Sequence, residues 1–182
     1  MERRLIEMKN KKLRKICMSM VILVFIVQLC GCGAEDTPNA LEDMALIDII
    51  NAMYDMKTPE LSLHQDIPDL QDSAAMESYT GLSDTSNVKE VTYSEPMIGS
   101  QAYSLVLVRV KDESKVEETA TAMKENVNPA KWICVMADDL QVVSYRDVIL
   151  LFMVSSELSD VITSEEIVES FQNVCGDDIT TY

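Results

Sequence analysis

The chain has 182 residues, with 31 acidic against 15 basic side chains and a formal net charge of −16. That balance excludes a nucleic-acid grip, which needs clustered Lys and Arg against phosphates, and it opposes adsorption to anionic lipid. Five glycines and one histidine leave little material for a phosphate-cradling loop or a histidine-based metal centre.

The first predicted element is a leader. Seven basic residues (Arg3, Arg4, Lys9, Lys11, Lys12, Arg14 and Lys15) precede an apolar run of 14 residues, Ile16 to Leu29, followed by Cys30-Gly31-Cys32. A cationic head, a short apolar stretch and small residues at a cut form the layout of a secretory signal. The run is short for a membrane span, which needs roughly 20 apolar residues. The cysteine at the cut makes the segment resemble a bacterial lipoprotein signal. Leu29, Cys30 and Gly31 then form the lipobox, and Cys32 is the lipid attachment residue. Gly31 suits the peptidase position, whereas Leu29 is too bulky to precede a cut at Cys30. Met8-Lys9-Asn10-Lys11-Lys12 is a more usual signal opening than Met1-Glu2.

On this reading residues 1–31 are signal, 32–38 are a polar tether and 39–182 are a single domain. The 151 residues after the cut suffice for one core. They hold 8 basic and 29 acidic side chains, a net −21, which suits a body held near a membrane by lipid and not by basic contacts. Besides Cys32 the mature part has Cys134 and Cys175. An exported pair permits a disulfide, but both sit in apolar runs, and buried free thiols are the expectation.

In the domain, Asn39 with Glu42 three residues on gives a box-like helix start. Leu46, Ile49, Ile50 and Met53 recur at helical spacing, so a helix is predicted over 40–56, stopped before Thr58-Pro59. Residues 58–72 read as an extended crossing segment packed by leucines. A short helix is expected over 73–79, with Gly81 just past its end. Strands are predicted over 88–93 and 102–110, the second apolar on both faces and therefore central. Ser114 and Glu117 form a second capping box, before a helix carrying Val116, Ala120, Met123 and Val127 and broken by Asn128-Pro129. Strand formers then crowd 132–136, 140–145 and 149–154, with turn signals close enough for hairpins. Thr163 and Glu166 cap a last helix, whose face is Ile167, Val168, Phe171 and Val174 and which Gly176 ends. These elements predict an α+β domain: a mostly antiparallel sheet of about five strands with helices stacked on one face.

Several of these residues carry a resemblance. Tyr79-Thr80-Gly81-Leu82, a strand with Ala102 near its head, an acid-rich helix after it, and the hairpin Val142-Val143-Ser144-Tyr145-Arg146-Asp147-Val148-Ile149-Leu150-Leu151 make the chain resemble a family of small lipoproteins from Gram-positive anaerobes, grouped as a domain of unknown function. The likeness covers roughly 73–155. Family members often carry a short tyrosine-proline segment where this chain has Pro129-Ala130-Lys131-Trp132-Ile133-Cys134. The resemblance brings no catalytic residues. It implies a loose association with surface-polymer acylation systems.

No residue pattern points to a reaction. His64, the sole histidine, lies in Leu63-His64-Gln65-Asp66 with no Gly-x-Ser-x-Gly elbow elsewhere and no second histidine for zinc. Asp66, Asp69 and Asp72 lack the alternation, turn glycine and closing glutamate of a calcium loop, and read as solvated acids and helix-start partners. Trp132, Tyr93, Tyr103 and Tyr145 can line a groove for sugar or peptide, though sheet packing is the commoner use of such residues. No catalytic, cofactor-binding or metal-ligating residue is predicted, and no cofactor. The expectation is a monomeric, non-enzymatic envelope lipoprotein. It is attached to the membrane by lipid on Cys32 and faces outward, toward an envelope protein or polymer. Alternatives are an enzyme with a carboxylate or tyrosine site lacking a motif, and a divalent-cation-binding surface protein.

Overall fold

Two strands that are apolar along nearly their whole length set the architecture. We describe a computed structural model in which Leu41 and residues 44–182 are defined. In chain order its elements are helix α1 (Leu46–Met56), strand β1 (Leu63–Asp66), helix α2 (Ser73–Thr80), strands β2 (Val88–Pro96) and β3 (Tyr103–Val110), helix α3 (Val116–Asn126), strands β4 (Asp139–Tyr145) and β5 (Val148–Val154), helix α4 (Ser164–Cys175) and strand β6 (Thr180–Thr181). Every residue of β3 and β5 is buried. The six strands form one antiparallel sheet in the order β1-β2-β3-β5-β4-β6. The fold is thus α+β, and the described residues gather in one compact unit.

Helices lie on both faces of this sheet, where stacking on one face was expected. Side chains alternate along a strand. Tyr103, Leu105, Leu107, Leu150 and Phe152 therefore point one way, into a core closed by Leu46, Ile49, Ile50 and Met53 of α1 and Ile167 and Phe171 of α4. Val106, Val108, Val110, Ile149, Leu151 and Met153 point the other way, against Met76 of α2 and Val116, Ala120 and Met123 of α3. Since both faces of the central pair are apolar, a one-sided layer would leave half of it in water.

Other boundaries moved for local reasons. The first helix begins at Leu46, and its N-terminus is served from the sheet: Leu46 N–H donates to Glu90 Oε1 at 3.0 Å. The Asn39 start and Glu42 lie outside the described residues. The leucine-bearing crossing segment contributes an edge strand, with Leu63 opposite Pro96 and Asp66 opposite Tyr93. Residues 132–136 form a loop, not a strand, and Cys134 there has a φ of 62°. Ser114 does not box with Glu117. Its hydroxyl and N–H both donate to Asp112, which caps a short 3₁₀ turn ahead of α3. The Thr163–Glu166 box forms as expected. Among the described residues no helix is long and apolar enough to cross a membrane.

Candidate functional site: a lysine-centred cluster beside the β2–β3 hairpin

Tyr79-Thr80-Gly81-Leu82 builds one wall of this site. Thr80 Oγ1 donates back to Met76 O at 2.6 Å and accepts Leu82 N–H at 3.1 Å, which closes α2. Gly81 follows with φ 74°, and a Cβ there would sit 2.5 Å from Val127 N. Only glycine tolerates both that backbone and that approach. The turn sends Leu82 into the core and leaves Tyr79 stacked on Tyr93 of β2, rings 4.0 Å apart and 14° from parallel.

Lys131 closes the cluster from the loop after α3. Its side chain is only 10% exposed, and its ammonium lies 2.5 Å from Glu95 Oε1 and 3.1 Å from Ser104 Oγ. It also sits over the rings of Tyr79 and Trp132, at 5.3 and 5.4 Å from their centroids, a cation–π arrangement. Ser104 donates in turn to Glu95 Oε1 at 2.7 Å. Burial holds Lys131 below the usual lysine value, against the opposing pull of Glu95. Burial raises Tyr79 well above the usual tyrosine value, with Tyr93 adding to it. A lowered lysine beside a serine can in principle serve as a base. Here, however, Ser104 is fully buried and its proton is directed at Glu95. As it stands the cluster holds the loop.

A second buried cation sits on the opposite face, toward the other end of the sheet. Arg109 of β3 has a side chain 4% exposed, 3.0 Å from Glu90 and 3.5 Å from Asp147. Its Nη2 donates to Leu41 O at 2.8 Å and Met44 O at 2.9 Å. This fastens the segment through which the chain enters the domain.

The structure brings together only some of the residues singled out from sequence. Tyr93 and Trp132 belong to the lysine cluster. Tyr103 lies on the other face, fully buried and hydrogen-bonded to Tyr54 at 2.7 Å. Tyr145 packs against Gly176, where a Cβ would meet its ring at 2.8 Å. The four therefore do not line one groove. His64 is exposed on β1, 3.6 Å from Asp66. Asp72 caps α2, while Asp66 and Asp69 accept nearby backbone N–H groups. Cys175 is a buried free thiol, pushed up to about 12 by burial, and Cys134 is free but exposed, contrary to expectation. Leu29, Cys30, Gly31 and Cys32 lie outside the described residues. Glu95, Ser104, Lys131, Glu90 and Arg109 were not singled out. Polar residues inside Tyr103–Val110 were the available signal, since a charge in a buried strand must be paired.

A cleft of about 460 Å³ lies between the α2–β2 loop and α3 and includes Asp84, Asn87, Asp112, Lys115 and Glu118. Among the described residues, no group of three or more His, Cys, Asp and Glu side chains is placed to hold a metal ion. Compared with known proteins, the chain matches no family model, no curated protein and no solved structure.

Proposed function

We propose that this chain is a bacterial envelope lipoprotein, anchored through lipid on Cys32 at the outer face of the cytoplasmic membrane. There it acts as a non-enzymatic binding or accessory subunit, in keeping with the resemblance to a family associated with surface-polymer acylation. The observation that carries the reading is the order of parts. A basic head, an apolar run and Leu29-Cys30-Gly31-Cys32 are followed, nine residues past Cys32, by Leu41, whose carbonyl Arg109 already holds. Two acyl chains on one cysteine suffice for stable attachment, so the acidic body needs no lipid contact of its own.

The test is metabolic labelling with an alkyne palmitate analogue, followed by fractionation. Wild type should be labelled and membrane-bound, and Cys30→Ala should behave likewise. Cys32→Ala should be unlabelled, and either kept as precursor or released. A Cys32→Ala chain that is processed and held like wild type overturns the proposal.

A further inference from the structure

At the end of the sheet away from Arg109, the β2–β3 hairpin meets the loop between α3 and β4. Ile133 N–H donates to Gly99 O at 2.8 Å, and Ile133 Cδ1 lies 3.5 Å from the place a Gly99 side chain would start. Four large apolar side chains on these two segments face solvent: Met97 (75% exposed), Ile98 (56%), Ile133 (71%) and Met136 (54%). Single exposed apolar residues are ordinary, but a group of them marks an interaction site.

Nor is their base slack. Lys131 ties the loop to the sheet, Ala137 N–H donates to Pro129 O at 2.8 Å, and Asp138 N–H donates to Val154 O at 3.2 Å. Apolar groups held out from an ordered base are pre-organised for contact, because little freedom is lost on binding.

The surroundings select the occupant. Glu60, Asp138 and Glu157 stand exposed at this end. The hydrogen bonds Met97 N–H to Ser62 O, Ser156 N–H to Asp138 Oδ1 and Ser155 N–H to Ala102 O place their segments there. Lys57 and Lys131, which reach the same end, are each engaged by a glutamate. An apolar centre with an acidic margin opposes anionic lipid and opposes a second copy of itself. It complements a protein surface that is apolar in the middle and edged with Lys or Arg. Position agrees: the chain enters at the Arg109 end, about 20 Å away along β3 at roughly 3.4 Å per residue.

We propose that Met97, Ile98, Ile133 and Met136 form the docking surface for a partner protein with a basic-rimmed apolar depression. The proposal rests on the envelope reading in taking that partner to be another envelope protein.

The experiment places a photo-crosslinking residue at Met97 or Ile133 of the full chain in intact cells, with Glu117 and Asp177, exposed elsewhere, as controls. The expected result is an adduct with one protein from the first two positions only, mapping to an apolar peptide flanked by Lys or Arg. Its yield should fall at least about threefold in membranes washed to high salt, where surface attraction is screened. Ile98→Asp, at an exposed position, should reduce it similarly. An adduct with lipid, with a second copy, or with residues 1–40 of the same chain overturns the proposal. So do equal yields from the control positions, or no adduct at all. Labelling of Cys32 is read separately, so a chain that lacks lipid but keeps this crosslink pattern overturns the envelope reading alone.

Discussion

The two buried cations solve one problem in different ways. Arg109 meets two carboxylates and two backbone carbonyls at once. A guanidinium, with five donors and no accessible deprotonation, suits that many partners. Lys131 meets one carboxylate, one hydroxyl and, at 3.5 Å, the Ser78 carbonyl, with two aromatic rings beside it. The arginine fastens where the chain enters the domain, and the lysine fastens a loop at the far end. The first partner set is the larger, so the entrance should be the harder region to perturb and the loop the more yielding.

Substitutions can break that ranking. Arg109→Met should cost most, about 3–5 kcal/mol, because it strands Glu90 and Asp147 and releases Leu41 and Met44. Urea unfolding gives the number, and a cost below that of Lys131→Met would reverse the comparison. Gly81→Ala comes next, at about 2–4 kcal/mol, since it adds left-handed strain and a clash with the Val127 backbone. Lys131→Met should cost about 1–3 kcal/mol, leaving Glu95 and Ser104 under-satisfied. Adding Glu95→Gln should recover part of that loss, and a double-mutant cycle with no coupling would remove the lysine cluster from the account.

The smallest effect is alkaline. Burial lifts Tyr54 from 10.0 and Cys175 from 9.0 to about 12 each. The native state keeps both protons after the unfolded chain has begun to lose them. Their stabilisation is therefore complete below about pH 9 and fades as pH climbs toward 12. Lys131 is lowered and acts in the opposite sense, gaining as pH approaches 10.5. Tyr103, raised by burial, joins the first group, so stability should decline overall above about pH 9. Tyr54→Phe should show a shallower decline in urea midpoints between pH 8 and 11.

Periodicity made most elements legible. The i, i+3, i+4 pattern of Leu46, Ile49, Ile50 and Met53 marks a core-facing helix, and those four side chains are buried in α1. Thr163 and Glu166 locate the start of α4 because a capping box is a local device. What could not be read from sequence depended on distant partners. Trp132 to Met136 has strand composition, but the Lys131–Glu95 pair across the fold and the turn at Cys134 override that preference. The strand at Thr180–Thr181 is too short for any pattern and exists because β4 offers it an edge. The candidate site was less legible still. Tyr93 and Trp132 were visible as aromatics, while Lys131 and Glu95 are 36 residues apart and only the topology pairs them.

The sheet's margins bear on aggregation. Tyr103–Val110 and Val148–Val154 are the kind of apolar, strand-forming segments that stack into fibres when exposed. They lie in the middle of the sheet, and what borders it is short: four residues with His64 and Asp66 exposed on one side, two threonines on the other. Pro59 and Pro68 flank the first margin and limit its extension. At the second, Tyr182 N–H donates to Val142 O at 3.0 Å, so the last residues of the chain shield the open edge of β4. Removing residues 179–182 would bare that edge while leaving both cores nearly intact. The shortened chain should fold and yet self-associate, a loss of solubility with little loss of stability.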